Sequence, residues 1–331
     1  MGKTRRLIFA ASFVAILVLS SAGAVFGATL TAYTVWPETN YHAVGLLLFA
    51  EKVEQYTKGE VVFNVESAGS LGFQGPDLLR AVRDGSVHIA EMVTTGVAGD
   101  ETIFGIRSLP FMIDDWDSAR DFDGMAKKYY NEAAKEWGQK ILYIAPWPFA
   151  GLWTQKEINS IGDMKGLKTR TFDRNGALIM TAVGATPLAM PFSECYTSLA
   201  TGVIDSIITS GTTIRDGKLW EVLKFYYPIK MSITTSMTNM NLKAFEKLTK
   251  SQQEAIEKAS AEVEEYLWQL ARQEEEGNLK ICEEHGCTIM KVDQGMQDEL
   301  KKLGEKVSGE WIDKNPKAKP LYEEFWNKYN Q

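Results

Sequence analysis

The strongest constraint on the fold is an alternation of strand-like and helix-like segments over residues 29–93. TLTAYTVW, VVFNVES and VHIAEMV are apolar runs rich in β-branched residues, so each predicts a strand. Asn40 predicts the N-cap of a helix from Tyr41 to about Tyr56, and PDLLRAVRDG, which opens with Pro76, predicts a second helix. This strand–helix–strand–helix–strand order predicts a parallel sheet with right-handed crossovers.

A similar pattern follows Thr154, so the 331 residues suit two domains of ordinary size. KTRT and VIDSIITS predict strands, and NGALIMTAVG and FSECYTSLATG predict helices, with a proline-bounded turn at Pro187–Pro191. Two helical stretches are predicted from Trp116 to Trp137. Two further strands are predicted in 224–241, split near Pro228.

One helix is predicted to be much longer than the others. Ser251 has the character of an N-cap, and Glu254 would complete a capping box with it. Without a break to His285 the helix would span about 50 Å, at roughly 1.5 Å per residue. Because this exceeds the width of one domain, we expect the helix to bridge two lobes.

The first 27 residues have the features of a secretory signal peptide. Lys3, Arg5 and Arg6 precede an apolar run from Leu7 to Leu19, and small residues allow cleavage after Gly27. The alternative is an uncleaved membrane anchor, but the run is shorter than the ~20 residues that span a bilayer. We therefore expect a periplasmic protein with no membrane insertion after cleavage.

The formal charge of −7 argues against a nucleic-acid partner and against binding to anionic lipid. Three cysteines occur, and no zinc-type spacing links them, so no metal or other cofactor is predicted. Cys195 is predicted to be buried. Cys282 and Cys287 flank Gly286, and a disulfide between them stays open, because an oxidising compartment would permit it.

A catalytic grouping is not evident. The histidines are His42, His88 and His285, and no GxSxG, HExxH or Ser-His-Asp arrangement accompanies them. We predict that the protein is not an enzyme and has no catalytic residues. A secreted hydrolase is the alternative from another functional class.

Arg170 is the main candidate for ligand contact. It ends the short strand KTRT, and in open α/β sheets ligands bind beyond the carboxyl ends of strands. A guanidinium can grip a carboxylate with two parallel hydrogen bonds. Trp36, Trp147 and Trp153 also lie near predicted strand ends, where they could stack on a planar ligand or simply pack in the core.

Several segments together resemble one family, the DctP-type extracytoplasmic solute receptors of TRAP transporters. They are GSLGFQGPDLLRAVRDGSVHIA, INSIGDMKGLKTRT and GATPLAMPFSECYTSLATGVIDS. The resemblance covers essentially the whole mature chain. It implies an α/β, two-lobed periplasmic binding protein (type II-like) with a long bridging helix, which closes on its ligand and docks to a TRAP membrane permease. By matching position, Arg170 is the family's carboxylate-binding arginine.

Two departures from the family pattern bear on the ligand. Many members carry an asparagine soon after the segment GVIDS, where this chain has hydroxyl residues, and the second arginine of some members is missing from 150–153. These departures favour a single carboxylate on a small organic acid, and the three tryptophans near the hinge favour an aromatic or heterocyclic ligand. An aliphatic keto acid or a C4-type acid is the alternative. The predicted ligand-binding residues are Arg170, Trp147, Trp36, Asn40, Tyr41, Phe73, Glu91, Thr209, Ser210 and Thr212.

The predicted organisation of the chain follows from these elements. Residues 1–27 form the signal peptide. Residues 28–148 plus about 237–275 form lobe I, and residues 149–236 plus about 276–331 form lobe II. We expect the mature protein to be a monomer.

Overall fold

The computed structural model describes residues 28–329, so the signal peptide predicted at residues 1–27 lies outside the described part. Two β-sheets organise the described chain. The strands are β1 Ala28–Tyr33, β2 Val61–Glu66, β3 Ile89–Val93, β4 Gln139–Pro146, β5 Ala150–Thr154, β6 Lys168–Thr171, β7 Thr186–Ala189, β8 Ser206–Thr209, β9 Phe225–Ser232, β10 Thr235–Asn241 and β11 Thr288–Ile289. The first sheet has the order β2-β1-β3-β10-β4, and the second has the order β11-β9-β5-β8-β6-β7.

Helices cover both sheets. They are α1 Tyr41–Tyr56, α2 Leu78–Arg83, α3 Trp116–Glu136, α4 Arg174–Ala182, α5 Cys195–Ala200, α6 Gly211–Asp216, α7 Leu242–Glu246, α8 Lys250–Glu284, α9 Gln294–Lys314 and α10 Lys319–Tyr329. We call the parts of the molecule around the two sheets the first lobe and the second lobe. The α/β, two-lobed architecture expected from the sequence is confirmed.

The parallel sheet predicted from the first repeat is present. β1 pairs in parallel with β2 on one side and with β3 on the other. The chain returns from the second lobe as β10, which inserts antiparallel between β3 and β4. Because β4 and β10 connect directly to β5 and β9 of the second sheet, the two lobes are joined by two neighbouring chain crossings.

The long helix α8 contacts both lobes, as predicted. It packs on α1 and β4 of the first lobe and on α6 and β11 of the second. Its predicted start was wrong by two residues. Thr249 is the N-cap and forms a capping box with Gln252, whereas Ser251 already lies inside the helix. Both pairs fit the same short motif, and only the position of the preceding turn selects between them.

Other predicted element boundaries also differ from those in the structure. The segment at Pro187–Pro191 is not wholly a turn, because β7 pairs there in parallel with β6. A single helix, α3, replaces the two stretches predicted from Trp116 to Trp137, since its apolar residues form one continuous face on the core. Pro228 lies inside β9, at an irregular part of the pairing with β5 where a missing backbone donor is tolerated.

The end of the chain divides between the lobes. α9 packs on α4 of the second lobe, but α10 packs on α3 of the first, with the rings of Phe122 and Phe325 5.2 Å apart. Residues 276–331 therefore do not all associate with the second lobe, and the proposed division of the chain needs α10 moved to the first. The three cysteines are buried as free thiols.

Candidate functional site

A cavity of about 630 Å³ lies between the lobes. First-lobe segments contribute Val35, Trp36, Phe73, Gln74, Val93 and Thr95, among others, and second-lobe segments contribute Arg170, Phe172, Asp173, Met190 and Phe192. A smaller pocket of about 50 Å³ adjoins it and shares Trp36, Val93, Arg170 and Phe172 with its wall. A small organic molecule in this space would contact both lobes at once.

Arg170 is buried in the wall of this cavity, with 4% of its surface exposed. Its Nε donates a hydrogen bond to the backbone oxygen of Met190 at 3.1 Å. Within residues 28–329, no carboxylate lies within 4.0 Å of its guanidinium. The buried Arg107 differs, because its Nε lies 2.7 Å from Asp123.

The lack of a partner has an electrostatic consequence. Burial lowers the pKa of Arg170 from its ordinary value, because the cation has lost water, and the nearby Cys195 and Asp173 oppose this shift only in part. The cavity therefore presents a positive group whose terminal nitrogens have no hydrogen-bond partner within residues 28–329 and can bind an anion.

Aromatic side chains form the wall beside Arg170. The ring of Trp36 lies 4.8 Å from that of Trp147 and 5.2 Å from that of Phe192, which belongs to the second lobe. Phe73 lines the larger cavity, and Trp147 lines the smaller pocket. These faces could cover a flat ligand. Trp153 instead stacks on Tyr226 at 4.1 Å in the core, so packing describes its role.

The predicted hydroxyl residues divide into two groups. Thr209 and Ser210 line the smaller pocket at the end of β8. Thr212 does not, because Asn278 on α8 donates a hydrogen bond to its hydroxyl at 2.9 Å. Thr213 takes its place on the pocket wall, since the chain turns into α6 at Gly211 and successive side chains point in different directions.

Three polar residues of the first lobe that were predicted to bind the ligand lie outside the cavity wall. Asn40 caps α1 and donates to Asp216 of the second lobe at 2.6 Å. The Tyr41 hydroxyl donates to the backbone oxygen of Pro146. Glu91 accepts a hydrogen bond from Thr34 at 2.8 Å inside the first sheet. Strand pairing and helix packing bury these groups behind the aromatic wall.

Glu91 shares its buried site with His42, whose Nδ1 lies 3.9 Å from the carboxylate. Burial raises the pKa of Glu91 to about 7 and lowers the pKa of His42 to about 3. Both shifts favour the neutral form, so the pair is uncharged over much of the acidic range.

Asp173 is a cavity residue that the sequence reasoning missed. It is the N-cap of α4, and its Oδ1 accepts a hydrogen bond from the backbone nitrogen of Gly176 at 2.8 Å. Burial raises the pKa of this carboxyl, and the neighbouring hydroxyls of Ser108 and Thr95 oppose the shift. Its position three residues after Arg170, beyond the same strand end, is the signal that could have identified it.

Asn175 is a second missed residue, and it joins the lobes beside the cavity. Its Nδ2 donates to the backbone oxygen of Gly105 at 2.7 Å and to the hydroxyl of Ser108 at 3.1 Å. A sequence pattern could not reveal this contact, because its partners lie about 70 residues earlier in the chain.

The histidines do not form a catalytic group. Nδ1 of His88 accepts a backbone hydrogen bond from Thr31 at 3.0 Å, His42 is buried behind the wall, and His285 stacks on Trp220. Over residues 28–329 there is no cluster of three His, Cys, Asp or Glu residues that could hold a metal ion. Over the same residues, the helices lack the combination of length and apolar character that crossing a bilayer requires.

Comparison with known proteins places the chain in a family. A family model described as "Bacterial extracellular solute-binding protein, family 7", or DctP, matches residues 32–314. The 2,3-diketo-L-gulonate-binding periplasmic protein YiaO of Escherichia coli is 24% identical over 294 residues, which cover 86% of this chain and 88% of that protein.

Solved structures agree with this assignment. DctP6 of Bordetella pertussis, an extracytoplasmic solute receptor binding pyroglutamic acid, is 26% identical with a TM-score of 0.87, covering 91% of this chain and 100% of that one. A TRAP solute binding protein from a marine metagenome, specific for pyroglutamate, is 25% identical with a TM-score of 0.86, covering 91% and 99%. The chain therefore belongs to the DctP family of bacterial extracellular solute-binding proteins, which are solute receptors of TRAP transporters and not enzymes.

Proposed function

We propose that this protein captures a small heterocyclic monocarboxylate between its lobes and delivers it to a TRAP membrane permease. The observation that carries the proposal is Arg170, a buried cation in the cavity wall without a carboxylate partner in the described chain. Burying a charge is costly unless an opposite charge compensates it. A ligand carboxylate is the compensating group that the cavity has room for.

The aromatic wall supports a ring-shaped ligand. Trp36 and Phe192 come from opposite lobes and their rings lie 5.2 Å apart, so together they form one apolar wall against which a flat molecule beside Arg170 could pack. Two receptors of similar fold and 25–26% identity bind pyroglutamate, a ring with one carboxylate. An aliphatic keto acid or a C4-type acid is the alternative, and a ligand screen separates these classes.

The experiment is a thermal-shift screen of organic acids followed by calorimetry. Ligands that bind the native state raise the melting temperature. We expect heterocyclic or aromatic monocarboxylates to give the largest shifts, and amides of the same acids to give none. If only short aliphatic acids raised the melting temperature, the wall aromatics would have a packing role and the alternative ligand class would replace this one.

Arg170→Ala tests the anchor itself. Loss of one member of a buried ion pair costs about 3–5 kcal/mol, so affinity should fall by about two to three orders of magnitude. The ligand-free variant should melt no earlier than the parent protein, because it no longer buries an unpaired cation. Arg80→Ala on α2 is the control, since that arginine is exposed and pairs with Asp100. Unchanged affinity in Arg170→Ala would contradict the proposal.

Export and delivery belong to the same proposal. The predicted signal peptide at residues 1–27 would send the chain to the periplasm, where a monomer with a closed cavity would present its ligand to the permease. Size-exclusion chromatography with light scattering, with and without ligand, checks the monomer. Transport into vesicles that contain the permease checks the delivery.

A further inference from the structure

We propose that Asp173 is a second polar contact of the ligand, so that the ligand carries an N–H or O–H donor close to its carboxylate. This inference rests on the proposed function of the cavity and narrows its substrate class. Lactams, amino acids and hydroxy acids have such a donor, whereas lactones, esters and plain ring carboxylates lack it.

The first argument is the unused oxygen of Asp173. The residue lines the cavity with only 7% of its surface exposed. Oδ1 caps α4 through the backbone nitrogen of Gly176. Oδ2 is buried and has no hydrogen-bond partner within residues 28–329. A buried acceptor without a donor is costly, and a ligand donor would remove that cost.

The second argument is the position of Asp173 relative to Arg170. The two residues lie three positions apart at the carboxyl end of β6, and both line the same cavity. They do not form a salt bridge, because the nitrogens of the guanidinium and the oxygens of the carboxylate are more than 4.0 Å apart. The wall therefore holds a separated positive and negative group, which together match a molecule with an acceptor carboxylate and a nearby donor.

A neighbouring hydroxyl extends the same polar patch. Thr95 of the first lobe lines the cavity, is 4% exposed and has no hydrogen-bond partner for Oγ1 in the described chain. It lies near the Asp173 carboxylate and favours its ionised form. Because Thr95 and Asp173 belong to different lobes, a ligand group bound at this polar patch would contact both sides of the cavity.

The experiment compares two ligands of nearly the same shape. Pyroglutamate has a lactam N–H, and 5-oxotetrahydrofuran-2-carboxylate has a ring oxygen at that position. Calorimetry should show that the parent protein binds the lactam at least tenfold more tightly than the lactone. The lactone would place its ring oxygen, which cannot donate a hydrogen bond, against the carboxylate of Asp173. Equal affinities, binding of neither ring, or a preference for the lactone would overturn the inference.

Asp173→Asn tests the residue. Asparagine is also a good N-cap, so α4 should be retained, while an amide NH₂ can replace the free oxygen. The preference for the lactam should fall below about threefold or reverse. An undiminished preference would overturn the assignment to Asp173.

Two further variants separate the possible causes. Asp293→Asn changes the N-cap aspartate of α9, which does not line the cavity, and should keep the lactam preference. Arg170→Ala should lose both ligands. If Arg170→Ala instead bound both ligands as the parent does, the proposed function would fail. The donor contact is judged separately, by whether Asp173→Asn changes the lactam preference.

Discussion

At the scale of single residues, the first lobe carries a buried acid and a buried base behind the aromatic wall. Glu91 and His42 are each 1% exposed, and neither ring nitrogen of His42 has a hydrogen-bond partner in the described chain. The ring of Trp147 lies 4.4 Å from the imidazole at a tilt of 33°, so the pair lies directly behind a wall residue.

The pair predicts a specific dependence of stability on pH. Glu91 has a folded pKa of about 7 against an ordinary value of 4.5, so its stabilising contribution is complete below pH 4.5 and is lost as the pH rises through 7. His42 has a folded pKa of about 3 against 6.5, so its contribution is present above pH 6.5 and is lost as the pH falls towards 3. Between pH 4.5 and 6.5 the two effects oppose each other.

Glu91→Gln should remove one of these effects. Glutamine resembles the protonated acid and does not ionise. As the pH rises from 4 to 8, the free energy of unfolding of the variant should therefore increase by up to about 3 kcal/mol relative to that of the parent, at ~1.4 kcal/mol per unit of pKa. Urea unfolding at both pH values measures this. Glu299→Gln, an exposed site on α9, is the control. Parallel pH profiles for Glu91→Gln and the parent would contradict the prediction.

The individual residues also show how far a sequence can predict a binding site. Arg170 could be proposed as a binding residue because strand-end arginines in α/β sheets have a known use and its neighbours match a family motif. Asp173 was missed, since an aspartate before a helix looks like an ordinary cap. Asn40 and Glu91 were predicted to bind the ligand, yet their side chains form contacts that the sequence does not reveal.

At the scale of elements, helix boundaries depend on caps. α1 runs from Tyr41 to Tyr56 with Asn40 as its N-cap, as predicted, because one capping residue and one glycine stop were available. α8 had two candidate caps two residues apart. The turn after α7 fixes the entry of the chain and thereby selects Thr249.

Thr249→Ala should therefore destabilise the protein by about 1 kcal/mol, the usual cost of losing an N-cap hydroxyl. Its Oγ1 accepts from the backbone nitrogen of Gln252 at 3.3 Å, and the alanine variant leaves that donor to water. Ser251→Ala lies within the helix and should change stability by less than half as much. Chemical denaturation measures both variants, and a larger effect at Ser251 would contradict the assigned cap.

At the scale of the whole molecule, a few polar bonds connect the lobes around the cavity. Asn40 at the start of α1 donates to Asp216 at the end of α6, and Arg215 connects α6 to Glu274 on the long helix at 2.6 Å. Asn278 of the same helix bonds Thr212. These bonds hold the two lobes together beside the cavity, so we expect them to influence how fast a ligand leaves.

Asn40→Ser tests this link. Serine keeps the cap of α1 but is too short to reach Asp216, so the bond between the lobes is lost while the helix start is retained. Ligand dissociation, followed by tryptophan fluorescence in a stopped-flow instrument, should become about tenfold faster, as expected for a bond to a charged group. Asn241→Ser is the control, because Asn241 caps α7 and donates to Val82 within the first lobe. Equal rates for the parent and Asn40→Ser would contradict the link.

From the sequence alone, the α/β class, the two-lobed plan and the bridging helix could be predicted, and Arg170 could be proposed as the anchor. Each follows from patterns of apolar residues, caps and motif spacing, which involve residues close together in the sequence. The set of polar groups that face the cavity and the packing of α10 could be seen only in the folded chain. Those features depend on contacts between residues far apart in sequence, such as Asn40 with Asp216 and Phe122 with Phe325. The terminal nitrogens of Arg170 stay available to a ligand because, in the described chain, its hydrogen bond to the backbone oxygen of Met190 uses only Nε.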